Sequence, residues 1–132
     1  FDADAFLKGA KAAHEMIAKA FAEGDRATPK LLLAPDVYAS FESAIVTREK
    51  HGQSVDFAFV GLKSADLQSA GLRGRFAEVT VKFVSELISA TRDAAGTVID
   101  GAAGVVREVT DVWTFVRDTR LDDLNWKVVA TA

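Results

Sequence analysis

Apolar residues recur every three or four positions through the first part of the chain and every second position through the rest. Phe6, Ala10, Ala13, Met16, Ile17, Ala20 and Phe21 make one stripe at helical spacing, with Lys8, Lys11, Glu15 and Lys19 opposite. That pattern predicts an amphipathic helix over 3–23. Asp2 or Asp4 suits its N-terminus, where a carboxylate meets free backbone N–H groups and the positive end of the helix dipole. Gly24 stands where a left-handed cap is wanted. A short second helix is expected through Leu31, Leu32 and Leu33, with Pro29 in its first turn, where a missing N–H costs little. Pro35 starts a third, with Val37, Tyr38, Phe41, Ala44, Ile45 and Arg48 on one face, and Gly52 ends it.

After Gly52 the period changes to two. Residues 55–62 read as a strand, apolar on both faces around Phe57 to Val60 and therefore expected to be covered on both sides. Gly71 to Gly74 marks a turn. From Phe76, Ala77, Val79, Val81, Phe83 and Leu87 alternate with Glu78, Thr80, Lys82 and Glu86, which predicts a long strand over about 75–91 with one wet face. A hairpin turn at 93–96, a short strand from Thr97 to Asp100 and a glycine-rich corner at 101–104 follow. Further strands are expected over about 105–118 and 124–131. Helices grouped before strands argue against a parallel βαβ sheet. Long antiparallel strands must twist and curl, leaving a concave face for a helix to fill. The expected fold is α+β, a single domain over 1–132. Three N-terminal helices pack in the concave face of a strongly curved antiparallel sheet of about four strands, in the manner of a cystatin-like or nuclear-transport-factor-two-like cone.

Composition narrows the chemistry. The 132 residues include nine Phe and are 49% hydrophobic, enough for a full core, and the net charge of −3 gives no overall attraction to nucleic acid. With no Cys, disulfides, thiolate metal sites and a Cys nucleophile are ruled out. Two His, at 14 and 51, are too few and too far apart for a histidine-based metal site without help from carboxylates. Both read as surface helix residues, neither at recognisable triad spacing. No metal, cofactor or catalytic residue is expected. No apolar run approaches the roughly 18 residues of a membrane span. Because the chain opens at Phe1 without a Met, it is expected to be a fragment or processed form, with any attachment segment upstream.

Several stretches in order carry a resemblance. They are Phe1-Asp2-x-Asp4-x-Phe6-Leu7, then Gly24-Asp25, then Leu31-Leu32, then the run from Val112 to Asp118 (Val-Trp-Thr-Phe-Val-Arg-Asp), and finally Asn125-Trp126-Lys127-Val128-Val129. Their order and spacing resemble the Tim44-like domain, the C-terminal domain of a subunit of the mitochondrial inner-membrane import motor, shared with bacterial proteins. The resemblance implies the cone fold, peripheral association with the inner membrane, a preference for anionic phospholipid such as cardiolipin, and a scaffolding role for partner proteins. The alanine-rich composition suits a bacterial member better than a mitochondrial one.

Two sets of site residues follow, each with a plainer reading beside it. Lys8, Lys11 and Lys19 on the first helix would meet phosphate head groups, and Arg73 and Arg75 at the turn an anion or acidic partner. The plainer reading, a solvated face diluted by Glu15 and a pair of exposed turn arginines, carries more weight. Phe6, Ile17, Phe21, Phe57, Phe59, Phe83, Trp113 and Phe115 would line an apolar pocket for a lipid or small molecule, against the plainer alternative of a filled core. Alternation places Asp111 on the face of Trp113 and Phe115. A carboxylate among aromatics is the one enzyme-like feature, following isomerase logic, but it needs a donor for the developing oxyanion, and Tyr38 is the only tyrosine. The preferred reading is a non-enzymatic, membrane-proximal adaptor. The alternative is a small-molecule or lipid binder, or an isomerase-like enzyme, using the cone.

Overall fold

The computed structural model describes residues 1–121 and 125–132. Helix α1 spans Ala3–Glu23. The Asp2 carboxylate accepts from the Ala5 N–H at 3.1 Å, and Gly24, at φ 74°, returns its N–H to the last turn. Ala10, Ile17 and Ala20 are buried as the stripe requires. Met16 and Phe21 fall at its margins and are more than a third exposed. The short second helix is a 3-10 turn, Thr28–Leu31, with Pro29 in its first turn, and α2 runs Pro35–Lys50. Phe41 and Ile45 of α2 pack into the core, and the Arg48 guanidinium donates to the Phe21 and Ala22 carbonyls, satisfying the free end of α1. Burial of that guanidinium lowers its pKa from the ordinary arginine value.

Five antiparallel strands follow: β1 Ser54–Arg73, β2 Phe76–Arg92, β3 Val98–Gly101, β4 Arg107–Asp118 and β5 Lys127–Thr131. The order is β1-β2-β4-β5, with β3 paired to the far end of β2, and the sheet does not close. The alternation read from β2 is the alternation found, with Val79, Val81, Phe83, Ser85 and Leu87 on the buried face. The last strand's expected start at 124 lies outside the described residues. Two readings of β1 are corrected. The strand does not end at 62 but runs to Arg73, because β2 pairs with it throughout. Nor is it covered on both faces, since Ala58 and Val60 are exposed while Phe57 and Phe59 are half-buried. Register shifts at 59/61, 62/64 and 67/69 bend this long strand. Gly101, at φ 74°, lies so close to β2 that a Cβ would fall 2.1 Å from the Ser89 carbonyl oxygen. Only glycine permits that approach.

The curved sheet and α1 enclose a core of Ile17, Phe41, Ile45, Val79, Val81, Phe83, Trp113, Phe115 and Val128. Leu32 and Leu33, after the 3-10 turn, are pinned to β5: the Val128 N–H donates to the Leu32 carbonyl at 2.8 Å and the Ala34 N–H to the Val128 carbonyl at 2.9 Å.

Candidate functional site

The residue that matters most, His14, has a polarity that suggests the surface and a position in the interior. His14 is 1% exposed. The helical phase places it there: it follows Ala10 by four residues and precedes Ile17 by three, so it shares their inward face. Its ring stacks on Phe83 at 4.4 Å between centroids and lies 4.7 Å from Trp113. Asp111 faces Phe83 across the β2–β4 ladder, and its Oδ2 accepts from His14 Nε2 at 3.0 Å. Asp111 therefore pairs with a histidine 97 residues away in sequence. The other ring nitrogen, Nδ1, is buried with no hydrogen-bond partner among the described residues. A buried polar atom without a partner is uncommon and calls for an explanation.

Two cavities flank α1. The first, about 540 Å³, lies beside the N-terminal half and is lined by Phe6, Phe115, Trp126, Leu32 and Arg117, with Phe1 and Asp2 at its edge. The second, about 600 Å³, lies beside the C-terminal half and is lined by His14, Asp111, Trp113, Ile17, Phe41 and Leu33, with Asp36, Ser40 and Thr131 also on its wall.

The aromatic and aliphatic residues proposed as one pocket are thus divided. Phe6 and Phe115 belong to the first cavity, and Ile17, Phe21 and Trp113 to the second. Phe57 lines a third space near Arg48 and Arg107, Phe59 a smaller fourth, and Phe83 is solid core at 0% exposure. The basic candidates are also separate from one another. Lys8, Lys11 and Lys19 lie on the outer face of α1, Lys19 tied to Glu15 at 2.6 Å. Arg73 and Arg75 sit at the β1–β2 turn, where Arg75 pairs with Asp118 at 3.1 Å. His51, the other histidine, is exposed at the end of α2, its Nδ1 2.8 Å from the Thr47 carbonyl. Among the described residues no three His, Asp or Glu side chains converge to hold a metal ion.

Comparisons with known proteins agree with this architecture. The family model of the Tim44-like domain matches residues 1–132. The crystal structure of the intermembrane space region of chloroplast protein ARC6 superposes with a TM-score of 0.64 at 14% identity, covering 96% of this chain and 94% of that one. At that identity the likeness establishes the fold. No curated protein matches the sequence.

Proposed function

The chain belongs to the Tim44-like domain family, and from that membership we propose that it serves as a membrane-proximal adaptor, associated peripherally with an inner membrane and holding partner proteins there. The family match along the whole length carries the reading. No helix among the described residues is long and apolar enough to cross a membrane, so attachment within this chain would be by surface contact. The best-suited surface is the β1–β2 turn. Leu72 and Phe76 are exposed there beside Arg73 and Arg75, an apolar and basic combination that suits lipid head groups. The N-terminus of α1 lies at the same end of the sheet, with Phe6 packed edge-on against Phe115 at 5.5 Å. Lys8 and Lys11 on its outer face would add to an anionic-lipid contact.

The isomerase-like alternative has one observation in its favour, a carboxylate beside a donor in a cavity. The donor, His14, is engaged with that same carboxylate. The Tyr38 hydroxyl is 3.2 Å from the Arg26 carbonyl and does not line the cavity. The adaptor is therefore the better reading. Co-sedimentation with vesicles of phosphatidylcholine, with and without cardiolipin, tests it. Cardiolipin-dependent pelleting is expected, weakened about thirtyfold in the Arg73→Glu/Arg75→Glu variant, since each lost basic contact near the surface is worth about 1 kcal/mol. Absence of cardiolipin-dependent pelleting removes the lipid part.

A further inference from the structure

The second cavity differs from the surface just described in kind and in sign. We propose that it is a binding site for a small amphipathic amine, its ammonium group held by Asp111 and Asp36 and its apolar body seated against Trp113, Phe41 and Ile17.

Three observations converge on that chemistry. The first is charge. Among the described residues the only acidic or basic side chains on the wall besides His14 are the carboxylates Asp36 and Asp111, with no lysine or arginine. A fatty acid or phosphate would bring negative charge against two carboxylates, whereas an ammonium group is attracted by both. The second is hydrogen-bonding capacity. His14 Nε2 engages only Oδ2 of Asp111, so the partly exposed carboxylate keeps acceptor capacity toward the cavity. A ligand that donates uses that capacity, and one that only accepts does not. The third is form. Asp111 is about one-third exposed, so its carboxylate is reachable, while His14 behind it holds it in place. Trp113 and Phe41 offer aromatic surface for a cation or an alkyl body. The volume, about 600 Å³, falls within the range of small-molecule sites. The first cavity is the internal contrast, since its wall sets Arg117 beside a single carboxylate, Asp2.

The test compares three probes with one tail, decylamine, decanol and decanoate, each below its micellar concentration, by NMR titration of the isotopically labelled chain. Decylamine is expected to shift the amides of Asp36, Phe41, Asp111 and Trp113 and to bind about tenfold more tightly than decanoate, as one favourable charge contact would give. Asp111→Asn should weaken decylamine about tenfold and leave decanol unchanged. Asp36 is exposed on the rim, so Asp36→Asn is expected to leave the fold intact and to weaken decylamine by a smaller factor. It decides the matter if Asp111→Asn fails to fold. Decanoate binding as tightly as decylamine, shifts confined to the first cavity, or decylamine affinity unchanged in the folded variants would overturn the proposal.

Discussion

The two cavities beside α1 are built from the same elements about two helical turns apart, yet they are different chemical environments. Residues Phe6 to Ala13 of α1, Phe115 and Arg117 of β4 and Leu32 frame the first, and residues His14 to Phe21, Asp111 and Trp113 of β4 and Leu33 frame the second. The apolar frame is common to both. What separates them is the polar groups each position brings: Arg117 and Asp2 on the first wall, a buried histidine paired with a partly exposed carboxylate on the second. A cone of this kind can therefore be specialised without altering its packing, because alternation along β4 and the helical phase of α1 deliver polar groups to the same enclosed space from opposite walls.

Substitution of the two tryptophans tests whether the second cavity is the more deeply structural. Trp113 is buried and touches His14 and Phe83, whereas Trp126 is half-buried beside Phe6 and Arg117. Trp113→Ala is expected to cost about 3–5 kcal/mol, and Trp126→Ala about 1–2 kcal/mol, since less of its area leaves water on folding. Equal losses by calorimetry or denaturant unfolding would erase the distinction.

The His14–Asp111 pair comes next in size. Asp111→Leu strands a buried imidazole N–H and is expected to cost about 1–3 kcal/mol. Adding His14→Phe removes the stranded donor, so the double variant should recover part of the loss. A double variant as unstable as the sum of the two single changes would show that the pair is not coupled and that the polar character of the second cavity is incidental. On the first-cavity side, Asp2→Ala removes the cap of α1 at a cost of about 1 kcal/mol. Hydrogen exchange should quicken over the first turns of α1 and leave the amides around His14 protected. Loss of protection along the whole helix would mean that the two halves do not act separately.

Much of this architecture is legible in the sequence, and the exceptions have physical causes. The helix caps at Asp2 and Gly24 and the alternation of β2 are local signals, and the structure follows them. The far half of β1 is not legible, because the register shifts at 62/64 and 67/69 break the two-residue period and its pairing with β2 is what keeps it extended. The outer face of β1 misleads because an edge strand of an open sheet leaves Val60 to solvent. His14 was detectable in principle: its phase on α1 points inward, but its polarity suggests otherwise. Alternation along β4 correctly brings Asp111 to the inner face. Its partner is set by how the sheet wraps α1, a non-local fact that neither segment encodes alone.

The smallest expected effect serves as the control, because it concerns a segment both cavities share. Leu32 lines the first and Leu33 the second, and both follow a 3-10 turn held by Asp25, whose carboxylate accepts from the Ala27 and Thr28 N–H groups and from the Thr28 hydroxyl. The hydroxyl bond, followed by the Thr28 backbone N–H, holds the Asp25 pKa below the ordinary aspartate value. A depressed carboxylate pKa means that the unfolded chain binds the proton more readily. The contribution is therefore complete above the ordinary value, near pH 4, and is lost as pH falls through the folded one. Thr28→Val should raise the Asp25 pKa, measured by NMR titration, and lower stability slightly at neutral pH. The difference from the parent chain should shrink in acid, and protection at Leu32 and Leu33 should fall together. A loss confined to one of the two leucines would show that the turn supports one cavity alone, and the contrast between the cavities would then begin in the turn above them rather than in the residues of α1 and β4.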